Sequence, residues 1–213
     1  MGTSTNTSGM HRAKLWQIGG FAFNNTATNL YMFMMNFIAY YLTGYVGVGV
    51  VVASTLITTM RIWDGVTDPF IGYLVDKTNT KFGKNRPFMV IGNVILAVAS
   101  FILLHVTHLF PQGARFIFFV LIYMIYIIGY TFQCVVTKSA QSCLTNDPRQ
   151  RPLYSIFDGV YNTLEFAVLP IFISGYLVPK HGGFNASFFH EIWCYVAAVS
   201  AILTCIAIYC ISR

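Results

Sequence analysis

Six apolar stretches, each about twenty residues or longer, follow one another through a chain of 213 residues, with short links between them. They cover approximately residues 15–42, 46–75, 88–109, 116–143, 154–178 and 189–211. A helix needs roughly 20 apolar residues to cross the hydrocarbon core of a bilayer. Each stretch is therefore long enough to span, several with tilt. Few other folds suit such a chain. Charged residues make up 9% of it and hydrophobic residues 56%, whereas a soluble domain carries about 25% charged residues with which to face water. The same hydrophobicity excludes intrinsic disorder. The expected fold class is an all-α membrane protein, with a cytoplasmic tail over 1–14 and one six-helix transmembrane bundle over 15–213.

The net charge of +6 does not mark a nucleic-acid surface, because the basic residues sit in the links between apolar stretches. Arg12 and Lys14 precede the first stretch. Lys77, Lys81, Lys84 and Arg86 join the second to the third, Arg149 and Arg151 join the fourth to the fifth, and Arg213 closes the chain. The alternate links carry little: nothing in Thr43-Gly44-Tyr45, then Arg115, then Lys180. Cytoplasmic loops carry the excess of Lys and Arg. Both termini and the basic links are therefore expected in the cytoplasm, and the protein in the cytoplasmic membrane. The cysteines, Cys134, Cys143, Cys194, Cys205 and Cys210, fall in or beside apolar stretches without a CxxC pair. They read as small apolar residues, not as a disulfide or zinc framework. Residues 1–9 are small and polar and show no signal-peptide pattern.

The second stretch contains what a membrane disfavours. It reads Met60-Arg61-Ile62-Trp63-Asp64-Gly65-Val66-Thr67-Asp68-Pro69. Asp64 and Asp68 are four apart, so a helix places them on one face, with Arg61 on the same stripe. Each Asp at the centre of a membrane helix costs about 2.5–3.5 kcal/mol, so the pair costs roughly 5–7 kcal/mol unless compensated. Arg61 offsets one carboxylate, and a bound Na⁺ or proton would offset the other. Pro69 has no N–H for the carbonyl of Gly65, which frees a further oxygen nearby. Hard oxygen ligands of this kind suit Na⁺. The alternative is an internal Arg61–Asp64 salt bridge that only joins helices.

Other intramembrane polar residues each admit two readings. Lys138 either snorkels to the cytoplasmic surface or meets an anionic substrate. Glu165, with Asp158 seven residues before it, either packs helices or lines a substrate cavity. Asn29 and Asn36 share a face of the first stretch and suit either sugar hydroxyls or interhelical hydrogen bonds. His105 and His108, spaced by three, read as interface residues because no third metal ligand is evident. The Phe and Tyr residues over 116–130 read as lipid-facing and interfacial aromatics. Asn185-Ala186-Ser187 matches a glycosylation acceptor, relevant only in a secretory eukaryotic host. No phosphate loop, His-Glu zinc pattern or nucleophile elbow occurs, so no enzyme activity is expected.

From Arg61 onward the chain reads Arg-x-x-Asp-x-x-x-Asp-Pro-x-x-Gly-x-x-x-Asp through Asp76, then Gly83-Lys84-Asn85-Arg86-Pro87. This stretch resembles the signature of the glycoside–pentoside–hexuronide:cation symporters of the major facilitator superfamily. Their fold has twelve helices in two halves, and this chain matches the first half. The resemblance implies that Asp64 and Asp68 are cation-site carboxylates. It implies that Thr131, on the fourth helix, completes the site and that Thr67 stands where the best-known member has an Asn. Asn24 to Leu30, including Asn25, Thr28 and Asn29, sits where the family has its first substrate helix. That member's sugar-binding Asp residues fall near Thr28 and at Cys134, a Trp falls at Lys138, and a helix-five Arg at Asp158. The sugar-site carboxylates and their Arg are thus replaced, which implies a binding mode other than the galactoside type. The expected function is cation-coupled (Na⁺ or H⁺) sugar or glycoside symport. The expected substrate residues are Asn25, Thr28, Asn29, Cys134, Lys138, Asp158 and Glu165. The expected partners are the lipid bilayer, the sugar, and a C-terminal half or second copy. No cofactor is expected beyond the coupling cation. The alternative is a truncated or non-transporting bundle that serves only in assembly.

Overall fold

The structure is a computed structural model that describes residues 12–78, 85–145, 147 and 149–211. Most of the expected tail, the link residues Lys81, Gly83 and Lys84, Arg213 and the side chain of Cys143 lie outside the described residues. Six long helices carry the fold: α1 (Leu15–Met35), α2 (Val50–Lys77), α3 (Arg86–His105), α4 (Gln112–Leu144), α5 (Arg151–Phe172) and α6 (Ala186–Ile211). Each coincides with one apolar stretch. Four segments are both long and apolar enough to cross a membrane among the described residues: 86–109, 112–141, 151–181 and 186–211. α1 and α2 are as long, but they carry the Asn and Asp residues singled out above, which lower their apolarity.

The first link differs from expectation. Thr43-Gly44-Tyr45 is not a loop but lies within a π-helical turn, Leu42–Val46, that follows a short helix, Ile38–Tyr41. The chain turns at Gly47 instead. Its φ of 79° lies in the left-handed region, where a Cβ is disfavoured. At the start of α6, the side chain of Asn185 accepts the N–H of Phe188 at 3.0 Å, so this sequon residue caps a helix.

α1 packs on α5 and α6, α3 on α4 and α6, and α2 on α4. α2 and α5 each lean mainly on one long neighbour, and large apolar side chains such as Ile62, Phe70, Leu164 and Ile171 stay exposed on them. Two apolar cores fill the bundle, one toward each end. One gathers Tyr31, Tyr41, Leu103, Phe119 and Phe188, and the other Phe21, Val75, Met89, Val136 and Ala207. Polar side chains join helices between them. Asn24 donates to Gln133 and Thr137 (3.1 and 2.8 Å), Gln133 donates to the Met89 carbonyl (2.7 Å), and Asn93 donates to Ser200 and Thr204 (2.7 and 3.0 Å). With no water in a bilayer core, such groups need internal partners. Hydroxyls on α2 use their own helix: Ser54, Thr55, Thr58 and Thr59 each donate to the carbonyl four residues back.

One end of the bundle gathers the basic links. Arg12 Nε meets Asp147 at 2.7 Å, Gln150 exchanges two hydrogen bonds with the backbone of Ala13, and Arg86 donates to the Ile211 carbonyl at 3.1 Å. Arg115 and Lys180 stand at the other end, beside the Tyr45 carbonyl and Glu191. The free cysteines Cys134, Cys194, Cys205 and Cys210 form no disulfide among the described residues.

Two predictions follow from this packing. At Gly129 a methyl group would lie 2.7 Å from Ile95 Cγ2 and 3.2 Å from the Leu96 backbone nitrogen. A β-branched side chain and a helix backbone yield little, so Gly129→Ala should cost about 1–3 kcal/mol. Gly159→Ala, in open space, should cost nothing. Thermal unfolding of detergent-solubilised protein separates them. The second concerns Asp147, whose carboxyl is held below its ordinary value of 3.8 by the Arg149 backbone N–H and by Arg12. A lowered folded value stabilises the native state above the ordinary value, and that contribution disappears as pH falls through the folded value. Protection of the amides of residues 12–14 from hydrogen exchange, relative to the intrinsic rate at each pH, should thus be high at neutral pH and be lost only below about pH 3.8. Asp147→Asn should show that loss already at neutral pH.

Candidate functional site

Asp64 and Thr67 are three apart on α2 and so share its α4-facing side. α4 brings Thr131 against them. The Thr131 hydroxyl donates to Asp64 Oδ1 at 3.1 Å, and the Thr67 hydroxyl donates to the Asp64 backbone carbonyl at 2.9 Å. The two hydroxyl oxygens are 3.2 Å apart. Three oxygens from two helices thus converge at one point, with Thr131 fully buried, Thr67 buried and Asp64 half-buried. Asp68 lies one turn further along α2 and is exposed, and α2 runs unbroken through Pro69. Asp68, Arg61 and Lys138 stand within electrostatic reach of Asp64. Among the described residues neither Arg61 nor Lys138 closes an ion pair with Asp64 or Asp68, so the internal salt bridge weighed above does not form.

A cavity of about 160 Å³ opens beside Asp64. It is lined by Met32, Met35 and Asn36 of the first helix and its end, by Ile57, Met60 and Arg61 of α2, and by Tyr123, Tyr126, Ile127 and Tyr130 of α4. Small-molecule pockets run from about 300 Å³ upward. This space therefore suits a cation with a few waters better than a whole sugar. Tyr123 and Tyr126 are buried and Tyr130 half-buried, which corrects the reading of the 116–130 aromatics as lipid-facing. The spacing of Phe119, Tyr123, Tyr126 and Tyr130 is the signal for that inward stripe, since i, i+4, i+7 repeats lie on one helix face.

None of the residues expected on the sugar lines this cavity. They divide into separate places. Asn25 donates to Asp158 Oδ1 at 2.8 Å, Asn29 donates to Asn162 Oδ1 at 2.6 Å, and Asn162 approaches Asp158 Oδ2 at 3.4 Å. Together they form a polar seam between α1 and α5. Asn162 escaped the sequence reading, although its i+4 spacing from Asp158 marks the same face. Asn36 and Asn29 part company, with Asn36 on the cavity and Asn29 in the seam. Thr28 is buried and donates to the Asn24 carbonyl at 3.0 Å. Cys134 is half-buried and Lys138 exposed on α4. Glu165 is buried on α5, and neither of its oxygens has a hydrogen-bond partner.

The histidines at the other end pair differently from their sequence spacing. His105 Nε2 meets His190 Nδ1 at 2.8 Å, while His108 Nδ1 lies 3.4 Å from the Tyr41 hydroxyl. Among the described residues no group of three His, Cys, Asp or Glu side chains is placed to hold a metal ion.

Comparison with known proteins gives this arrangement its context. Residues 20–212 match the family described as MFS/sugar transport protein. The chain is 27% identical over 197 residues to the "Glucuronide carrier protein homolog" of Escherichia coli (strain K12), covering 91% of this chain and 43% of the relative. It is 24% identical over 190 residues to the "Isoprimeverose transporter" of Lactiplantibacillus pentosus, covering 89% and 39%. It is 25% identical over 123 residues to the "Inner membrane symporter YicJ" of Escherichia coli (strain K12), covering 58% and 26%. The chain thus spans less than half the length of these curated relatives. The relatives are transporters, not enzymes, and the apolar helices make this an integral membrane protein. The match over nearly the whole bundle, together with the Arg61-to-Pro87 signature and its resemblance to the glycoside–pentoside–hexuronide:cation symporters, places this chain in the MFS/sugar transport protein family.

Proposed function

We propose that the chain is the N-terminal half of a cation-coupled symporter that carries a sugar or glycoside across the cytoplasmic membrane. The observation that carries this reading is the convergence of Asp64 Oδ1, Thr67 Oγ1 and Thr131 Oγ1 beside a cavity inside an apolar bundle. Hydroxyl and carboxylate oxygens are hard ligands of the kind Na⁺ takes, and an isolated carboxylate there equally takes a proton. Thr67 commits its hydroxyl proton to a backbone carbonyl. Its lone pairs are thereby left for a cation. Asp68, exposed one turn away, is the second carboxylate that the cation would recruit or neutralise.

The signature supports six crossings with both termini in the cytoplasm, as do the basic residues gathered at one end. The 160 Å³ cavity is too small for a sugar alone. The sparsely covered faces of α2 and α5 therefore await a second bundle, either a C-terminal half or a second copy, that completes the pocket. Asn25, Asn29, Asp158 and Asn162 offer that pocket a row of amide and carboxylate groups suited to sugar hydroxyls, and Lys138 and Cys134 extend it along α4. Coupling follows from electrostatics. A bound cation neutralises Asp64 and lowers the cost of closing the bundle around the substrate, so cation and sugar each favour the other's binding.

Asp64→Asn or Asp68→Asn should abolish the stimulation of glycoside binding by Na⁺ or by acid, with at least a tenfold loss of the cation effect. Binding of radiolabelled glycosides to membranes containing the protein, with and without Na⁺ at several pH values, measures this. Undiminished stimulation in both variants would overturn the cation site at Asp64 and Asp68, and no cation-stimulated binding in the unmodified protein would favour the alternative, a bundle that serves assembly without translocation.

A further inference from the structure

Glu165 is 6% exposed, and both its carboxyl oxygens are buried without a hydrogen-bond partner. It sits on the face of α5 that continues the Asp158–Asn162 stripe, two turns beyond Asp158, where α5 packs on α1. Everything in this setting opposes a negative charge. An ionised carboxylate taken out of water without a partner pays many kcal/mol, and such groups neutralise instead. Asp158, two turns back on the same helix, is another carboxyl group and offers no compensating cation. α1 carries no Asp, Glu, Lys, Arg or His between Leu15 and Met35, and its one titratable group is the Tyr31 phenol. No cation on the opposing helix is available to keep Glu165 ionised.

We propose that Glu165 is a proton-binding site of this protein, separate from the oxygen cluster at Asp64. In the conformation described it holds the proton as a neutral carboxylic acid. The step is a simple protonation: the carboxylate takes one proton from water at the surface, and returns it to water when α5 parts from α1. Ionisation requires hydration or a new cationic partner, so the proton stays while α1 and α5 are packed and leaves when they separate. Transport or conformational change that moves α5 would then carry a pH dependence of its own. The site differs in kind from the one at Asp64, where hydroxyls and nearby charges surround the carboxylate. It does not rest on the cation reading, since Asp64 lies on α2 and Glu165 on α5.

The chain contains two glutamates, Glu165 and Glu191. Glu191 is bonded to Lys180 at 2.6 Å and to His181 at 2.7 Å, which keeps it ionised as an internal reference. Protein labelled with carboxyl-¹³C glutamate and placed in lipid nanodiscs therefore shows two resonances. At neutral pH one should appear at the carboxylic-acid position and one at the carboxylate position. Glu165→Gln should remove the first and Glu191→Gln the second. The same spectrum with Asp64→Asn should be unchanged, which separates this proposal from the cation site. Two carboxylate resonances at neutral pH in the unmodified protein would overturn it, whether water or a cation from a partner supplies the compensation. Because the wild-type spectrum alone decides the point, a variant that fails to fold does not shield the proposal.

Discussion

Carboxylates inside an apolar bundle must be compensated, and the arrangement of α2 against α4 is the way this protein compensates Asp64. Its side chain has too few polar neighbours on its own helix, so a hydroxyl is brought from another. Thr131 supplies it from α4 and Thr67 reinforces it from α2. The close approach of α3 and α4 at Gly129, two residues before Thr131, shows how the supporting packing reaches the site. A bulkier residue there would clash with Ile95, push α4 away from α3 and move the hydroxyl. Local chemistry and helix packing are therefore one constraint, not two.

The rest of the polar inventory divides by the same criterion. Asn24, Gln133, Thr137, Asn93, Ser200 and Thr204 hydrogen-bond to one another across helices and hold the bundle together. The α1–α5 seam is satisfied internally but lies part-exposed, so its amides can exchange a protein partner for a sugar hydroxyl at little enthalpic loss. Several buried polar atoms lack a partner, Tyr31 and Tyr126 hydroxyls among them, but among the described residues Glu165 is the carboxyl group left with both oxygens buried and unbonded. A group of that kind costs free energy in the packed state, which is why a proton is the natural ligand for it.

Much of this was legible in the sequence. Six long helices fall on the six apolar stretches, and four segments among the described residues are long and apolar enough to cross a bilayer. Asp64 was legible because charge in an apolar helix is rare, while the approach of Thr67 and Thr131 to it was implied by the family resemblance alone; that the three hold a cation is the proposal. The pairing of Asn29 with Asn162 was not legible, since a pairwise contact between α1 and α5 depends on helix rotation and not on either helix's periodicity. The cavity was missed for a related reason. The spacing of Tyr123, Tyr126 and Tyr130 puts them on one helix face, but which way that face turns is decided by tertiary packing. The loop at Gly47 was placed too early because Thr43-Gly44-Tyr45 looks more turn-like than a π-helical turn allows.

The central claim is that hydroxyls on two helices and the Asp64 carboxylate form one cation site. Calorimetric titration of Na⁺ into the protein in lipid nanodiscs, comparing wild type with Thr131→Val and Thr131→Ser, tests it most directly. A hydrogen bond or ligand to a charged group is worth about 1.5–3 kcal/mol, and about 1.4 kcal/mol is a factor of ten in affinity. Thr131→Val should weaken Na⁺ binding by about tenfold or more, and Thr131→Ser, which restores the oxygen without the methyl, should recover most of it. Equal Na⁺ affinity in all three proteins would contradict the account.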